Sequence, residues 1–289
     1  MSEISPALYR AGAGEPVVLL HGFTGTWQHW RPVLADLAAR YEVIAPTLTG
    51  HDGGKALPPG TPIGFGSLGD LLEAHLDELG LDTVHVVGNS MGGALALELA
   101  KRGRARTVVA IAPAGGWSQG DGEALRLARF FARQLRLTRA NERRLPMLMR
   151  RPGPRRLLFR DIMRHGELVS PSEALQMGLA SLRCSVSAIA IDALRRDSPE
   201  IVMGGLDSIS CPVRLVSPAL DRVLPVVRHA PRYRREIPNV DVVALTDCGH
   251  VPMWDDTPRV VASIAEFVDR HSHSASGAPA PATVATPVG

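Results

Sequence analysis

Short apolar segments alternate with amphipathic helical segments along residues 1–115, and this alternation constrains the fold more than any other feature. The apolar segments are Val17–Leu20, Glu42–Ala45, Thr83–Val87 and Thr107–Ala112. Between them, the segments with helical spacing of apolar residues are Trp30–Arg40, Ser67–Leu79 and Met91–Lys101. Strands that are apolar throughout are typical of a parallel sheet covered on both faces. The sequence therefore predicts an α/β fold with a doubly wound, mostly parallel sheet.

Residues 116–205 interrupt this alternation with arginine-rich helical segments and no clear strand. The alternation resumes with strand-like segments at Val213–Val216 and Val240–Leu245, and helical ones at Val226–Glu236 and Arg259–Arg270. We therefore predict a core domain of residues 1–115 and 206–271, with a helical insertion at 116–205 after the sixth strand. Residues 272–289 are rich in Ser, Ala, Pro, Gly and Thr, and a disordered tail is predicted there.

The segment Gly88-Asn89-Ser90-Met91-Gly92-Gly93 matches the pattern G-x-S-x-G, directly after a predicted strand and at the start of a predicted helix. A serine on such a turn is held with its hydroxyl accessible, and its strained backbone requires small neighbours. The N-terminus of the helix adds free N–H groups where negative charge would develop. The pattern predicts Ser90 as a nucleophile, the alternative being a purely structural turn.

A second glycine-bounded turn, His21-Gly22-Phe23-Thr24-Gly25, also follows a predicted strand. Acyl transfer places negative charge on a substrate oxygen, which two preorganised backbone donors stabilise. The N–H groups of Phe23 and Met91 are the predicted pair. By itself, the segment is equally compatible with a structural turn.

Two further strand ends carry an acid and a histidine. Gly249-His250 follows the strand-like segment Val240–Leu245, and Asp221 follows Val213–Val216. Functional groups gather at such carboxyl ends in open α/β sheets. We predict His250 as the base that takes the proton of Ser90, and Asp221 as the acid that orients it. Asp247 and Asp121 are the competing acids.

These segments resemble the α/β-hydrolase superfamily, in which the nucleophile, acid and histidine follow one another in this order. The resemblance covers residues 8–270 and depends on His21-Gly22-Phe23, Gly88–Gly93, Asp221–Pro225 and Gly249-His250. It implies that the insertion forms a helical cap over the active site, and that the protein uses no cofactor and no metal.

The resemblance leaves the reaction open. Ester or thioester hydrolysis, in the carboxylesterase class, is the default expectation by analogy of fold. One alternative is a carbon–carbon bond hydrolase, although Thr24-Gly25-Thr26 departs from the glycine-proline-glycine loop of those enzymes. Another is a lyase similar to that of the menaquinone pathway, although Ala94 replaces its usual arginine. A third is a non-catalytic ligand receptor. Epoxide hydrolases and haloalkane dehalogenases use an aspartate nucleophile, so Ser90 disfavours both.

The formal net charge of +3 conceals a concentration of arginine between Arg126 and Arg164. This stretch contains no aromatic stacking platform and no nucleic-acid-binding motif, so we expect a small-molecule substrate and no nucleic-acid partner. Solvated helix faces are the simplest interpretation. Recognition of an acidic substrate and weak attraction to anionic lipid are the alternatives. No apolar segment predicts stable membrane insertion.

Three widely spaced cysteines and the absence of an export signal in the first residues favour a reducing, cytoplasmic setting. Trp27, Trp30 and Trp254 flank the predicted site segments and are candidate pocket residues, with packing as the alternative role. The oligomeric state stays open.

Overall fold

The computed structural model describes residues 3–272. Its single sheet contains eight strands: β1 (Glu3–Ile4), β2 (Leu8–Ala11), β3 (Pro16–Leu20), β4 (Glu42–Pro46), β5 (Val84–Asn89), β6 (Ala105–Ile111), β7 (Val213–Pro218) and β8 (Asp241–Leu245). The helices are α1 (Arg31–Ala38), α2 (Phe65–Glu78), α3 (Met91–Lys101), α4 (Glu123–Ala140), α5 (Leu145–Leu148), α6 (Pro152–Phe159), α7 (Pro171–Arg183), α8 (Ser187–Arg195), α9 (Val226–Glu236) and α10 (Thr257–Ser272). The predicted disordered tail falls on residues 272–289, which apart from Ser272 lie outside the described residues.

The strands are arranged in the order β1-β2-β4-β3-β5-β6-β7-β8. All neighbours from β4 to β8 run parallel, whereas β1 and β2 pair antiparallel at one edge. The predicted α/β class and mostly parallel sheet are confirmed. Strands β1 and β2 were not predicted, because both are short, β1 is exposed and β2 is only partly buried, so neither has a continuous apolar run.

Both faces of the sheet are covered, which explains why the central strands are mostly apolar. Val17 and Leu19 of β3 belong to the cluster that packs under α1 and α10. Val18 and Leu20 point the other way, into the cluster formed with α2, α3 and α9. Alternate side chains of one strand thus enter two different cores.

Helices α4 to α8 lie between β6 and β7 in the chain, as expected for a helical insertion after the sixth strand. Apolar residues of α4 and α8 pack together in a third cluster, which also contains Val223 and Leu224 of the loop after β7. The division of the chain into a core domain and a separate cap domain stays a prediction. Within residues 3–272 no single helix is long and apolar enough to cross a bilayer, and only the pair α7 and α8, bent by 68°, meets the criteria of length and composition together.

Candidate active site

Ser90 lies on the turn between β5 and α3 with φ +57° and ψ −117°, a backbone conformation that a non-glycine residue seldom adopts. The turn is tight because its neighbours lack side chains. A Cβ on Gly88 would lie 2.0 Å from the carbonyl oxygen of Gly92, and one on Gly92 would lie 2.1 Å from that of Leu20. The backbone N–H of Ser90 donates to the Ile111 carbonyl oxygen at 2.9 Å, which fastens the strained residue to β6. Strain of this kind is found at functional sites.

His250 and Asp221 form a buried pair at the carboxyl ends of β8 and β7. The ring Nδ1 of His250 lies 2.7 Å from Asp221 Oδ2, and the Asp221 side chain is fully buried. The other carboxylate oxygen accepts hydrogen bonds from the backbone N–H groups of Val223 and Leu224, at 2.8 and 2.7 Å. These three contacts leave the carboxylate one orientation, and His250 Nδ1 is the donor in its pair.

Neither competing acid reaches His250. Asp247 is exposed and forms ion pairs with Arg164 and His165, at 3.2 and 3.5 Å. Asp121 accepts hydrogen bonds from the backbone N–H groups of Ser118 and Glu123 at the start of α4.

Two side chains outside the predicted set hold the His250 loop. The buried amide of Asn89 donates to the His250 carbonyl oxygen at 2.9 Å, which joins the Ser90 turn to that loop. The carboxylate of Asp255 accepts from the backbone N–H groups of Gly249, Arg164 and His165, at 2.8, 2.9 and 2.9 Å. Sequence patterns did not reveal either role, because each depends on contacts with backbone atoms far away in the chain.

The turn that contains Phe23 lies against Ser90, since a Cβ on Gly22 would be 3.2 Å from Ser90 Cβ. The fully buried His21 holds this turn: Nδ1 donates to the Gly22 carbonyl oxygen at 2.8 Å, and Nε2 accepts from the Leu48 N–H at 2.9 Å. Burial lowers the pKa of His21 well below its ordinary value, so the ring is neutral and can both donate and accept.

The backbone N–H groups of Phe23 and Met91 donate no hydrogen bond to any other residue within the part of the chain that the structure describes. Ser90 Oγ and the His250 ring, which also lie within the described residues, form no hydrogen bond with each other. Catalytic hydrogen bonds are often long in the absence of substrate and shorten when it binds.

A cavity borders Ser90 and Met91, and its walls are apolar. The remaining lining residues come from the core, from α4 and α8 and from the loop after β7: Phe23, Ile63, Gly64, Phe65, Leu68, Ala114, Trp117, Leu127, Phe131, Ala190, Leu194, Ile201, Val223 and Leu224. Among residues 3–272, no charged side chain lines it. A neighbouring cavity shares five of these residues and continues toward Lys55 and His75.

Comparison with known proteins agrees with this architecture. The family model described as "Alpha/beta hydrolase family" matches residues 17–264. The chain belongs to the alpha/beta hydrolase family.

Relatives within the family carry out different reactions. This alpha/beta hydrolase is 32% identical to an epoxide hydrolase of Mycobacterium tuberculosis, over 70% of this chain and 94% of the relative. It is 43% identical to a 2-hydroxy-6-oxo-2,4-heptadienoate hydrolase of Pseudomonas putida, over 34% of this chain and 37% of the relative. Among solved structures, an esterase of Thermogutta terrifontis superposes with a TM-score of 0.70 at 23% identity, covering 93% of this chain and 97% of the esterase.

The tryptophans predicted as pocket residues do not line the cavity of this hydrolase at Ser90. Trp27 and Trp30 are buried in the core under α1. Trp254 packs against the same core and donates its indole N–H to the His29 carbonyl oxygen at 3.0 Å. The structure therefore places all three in packing roles beside this cavity's surroundings, because proximity in sequence to a site segment does not determine which way a side chain points.

The arginines of the insertion also stay outside the cavity of the hydrolase. Arg126 turns toward Glu123 and the Val223 carbonyl oxygen. Arg155 is buried and donates to the carbonyl oxygens of Met149 and Glu167, at 2.7 and 2.9 Å. Within residues 3–272, no group of three His, Cys, Asp or Glu side chains has an arrangement that could hold a metal ion.

Proposed function

We propose that this protein is a serine hydrolase that cleaves carboxylic esters, or thioesters, with an apolar acyl or alcohol part. The observation that carries the proposal is the apolar cavity beside Ser90, whose walls contain no charged side chain from the described part of the chain. Burial of apolar substrate surface in such a cavity supplies binding free energy at about 25 cal/mol per Å². A substrate that carried a carboxylate into it would lose its hydration without gaining a partner.

In the proposed mechanism Ser90 Oγ attacks the ester carbonyl carbon and His250 Nε2 accepts its proton. The imidazolium keeps its hydrogen bond from Nδ1 to Asp221, at 2.7 Å, and the buried carboxylate compensates its charge. The N–H groups of Phe23 and Met91 stabilise the oxyanion. His250 then gives its proton to the departing alcohol, and water, activated in the same way, releases the acid from the acyl-enzyme.

The relatives suggest two other reactions, and the site favours neither. Epoxide hydrolases of this family use an aspartate as nucleophile, whereas this chain has Ser90. Heptadienoates, the substrates in the name of the second relative, are carboxylates and call for a cation at the site. The lyase alternative also acts on a carboxylate. A receptor role would retain the cavity without turnover.

The test is release of p-nitrophenol from p-nitrophenyl esters with acyl chains of two to about ten carbons. Wild type is compared with Ser90→Ala and His250→Ala. Ser208→Ala and His271→Ala serve as matched controls, since both residues lie outside the site. We expect turnover by wild type and both controls, with activity reduced to background in the two site variants.

Release by wild type that does not exceed the Ser90→Ala background would refute ester hydrolysis. In that case, we would measure cleavage of 2-hydroxy-6-oxo-dienoates through the loss of their absorbance. Binding of a ligand without turnover would favour the receptor role. The KM for medium-chain p-nitrophenyl esters should be lower than the KM for p-nitrophenyl acetate, because the cavity walls are apolar.

A further inference from the structure

A second cleft lies on the outer side of the loops that carry Asp221 and His250. Arginine side chains dominate its lining, which consists of Arg156, Arg160, Asp161, Met163, Arg164, Ala219, Leu220, Asp221, Arg222 and Gly249. It shares no residue with the cavity at Ser90. The cleft is therefore a separate feature of the surface, with different chemistry.

The side chains that line this cleft carry more positive than negative charge, with four arginines against Asp161 and Asp221. Arg160 lies 3.7 Å from Asp161, and Arg164 lies 3.2 Å from Asp247. Arg156 and Arg222 have no acidic partner among residues 3–272. The Asp221 carboxylate is fully buried and already shared by His250 and two backbone N–H groups.

The four arginines come from three segments: α6, the loop that follows it, and the loop after β7. Their convergence therefore depends on tertiary structure, unlike that of arginines along one solvated helix. Exposed guanidinium groups that line one cleft provide a positive field and several paired N–H donors for an anion with several oxygens.

The backbone around the cleft is firmly held. Buried Arg155 ties α6 to the segments before and after it through two carbonyl oxygens. Asp255 binds the N–H groups of Arg164 and Gly249, and the N–H of Val251 donates to the Ile162 carbonyl oxygen at 2.8 Å. The loop after α6 and the His250 loop are thus joined to each other before any ligand arrives.

We propose that this cleft binds a phosphate group, with Arg156 and Arg222 as its principal ligands and Arg160 and Arg164 as supporting ones. The phosphate can belong to a soluble molecule or to a phospholipid headgroup. Leu220, which is 43% exposed, lines the cleft and would contact acyl chains in the second case. The inference does not depend on the reaction proposed for Ser90.

The test compares the full chain with Arg156→Gln/Arg222→Gln and with Arg133→Gln/Arg136→Gln. The second double variant is the matched control, because it removes the same charge from exposed positions of α4 outside the cleft. Inorganic phosphate is titrated by calorimetry in a buffer free of other multivalent anions. In parallel, sedimentation is measured with vesicles of phosphatidylcholine alone and with added phosphatidylglycerol.

We expect the cleft variant to weaken binding at least tenfold, and the control variant to change it less than twofold. Binding of inorganic phosphate would identify a soluble ligand as sufficient. Binding only to vesicles with phosphatidylglycerol would identify the lipid headgroup. Either result supports the proposed phosphate site if binding depends on Arg156 and Arg222. Absence of binding to both probes, or equal weakening in both double variants, would overturn the proposal. Near-ultraviolet circular dichroism checks that each variant is folded.

Discussion

The substitution Asp221→Asn tests the proposed catalytic pair with minimal change in shape. In the native structure one carboxylate oxygen accepts two backbone N–H groups, from Val223 and Leu224, and the other faces His250 Nδ1. An asparagine must keep its oxygen toward the two N–H donors, because its NH₂ group cannot accept from them. Its NH₂ therefore faces His250 Nδ1 and forces that nitrogen to act as acceptor. The proton then resides on Nε2, and His250 cannot take a proton from Ser90.

The expected loss in kcat is about 10⁴-fold, as when the orienting acid of a comparable triad is amidated. This corresponds to about 5.5 kcal/mol of lost transition-state stabilisation at about 1.4 kcal/mol per factor of ten. The effect on folding is smaller. The two hydrogen bonds from Val223 and Leu224 would then go to a neutral acceptor, and a neutral hydrogen bond contributes about 1 kcal/mol to stability. The weakening of these bonds is partly offset because a buried charge is removed.

The assay measures kcat and KM for p-nitrophenyl butyrate and the free energy of unfolding in urea. Asp247→Asn is the matched control, because Asp247 lies in the His250 loop but is exposed and paired with Arg164 and His165. We expect the control to lie within threefold of wild type. If Asp221→Asn keeps more than a tenth of wild-type kcat while remaining folded, the assignment of tautomer and role given above is wrong.

Three further predictions follow from the surroundings of the site. Asp255→Asn should lower kcat about tenfold or more and lower the free energy of unfolding by about 1–3 kcal/mol, because the N–H groups of Gly249 and Arg164 lose an acceptor. The control Asp256→Asn should change neither quantity in the same assays. Ala190 lines both the cavity at Ser90 and its neighbour, so Ala190→Phe narrows the junction between them. The ratio of KM for the octanoate ester to KM for the acetate ester should rise at least fivefold. An unchanged chain-length profile would contradict the cavity assignment. Burial lowers the pKa of His29 and His51 from 6.5 to about 4, so the unfolded chain binds protons in this range and the folded one does not. The free energy of unfolding should therefore be unaffected by these groups above pH 6.5 and decrease as pH falls from 6.5 to 4, and His51→Gln should reduce that slope in urea titrations at several pH values.

Local patterns in the sequence were sufficient for the fold class. Each parallel strand is short, mostly apolar and followed by a helix, so its position could be predicted without knowledge of its neighbours. The Ser90 turn could be predicted for a similar reason, since Gly88 and Gly92 meet a requirement of the local backbone. The strands β1 and β2 escaped prediction because they are held at the edge by pairing with each other and with β4.

The sequence by itself thus determined the α/β sheet, the position of the helical insertion and the strand ends at which Ser90, Asp221 and His250 lie. Only the tertiary structure decided which side chains surround them. It buried Trp27 and Trp30 in the core, turned the insertion arginines away from the cavity and brought Asn89 and Asp255 to the His250 loop. The physical reason is that hydrophobic periodicity and turn chemistry act between neighbours in the chain. A cavity wall or an arginine cleft consists of segments far apart in the chain, such as Phe23 and Leu224 in the cavity at Ser90, whose side chains are oriented by packing.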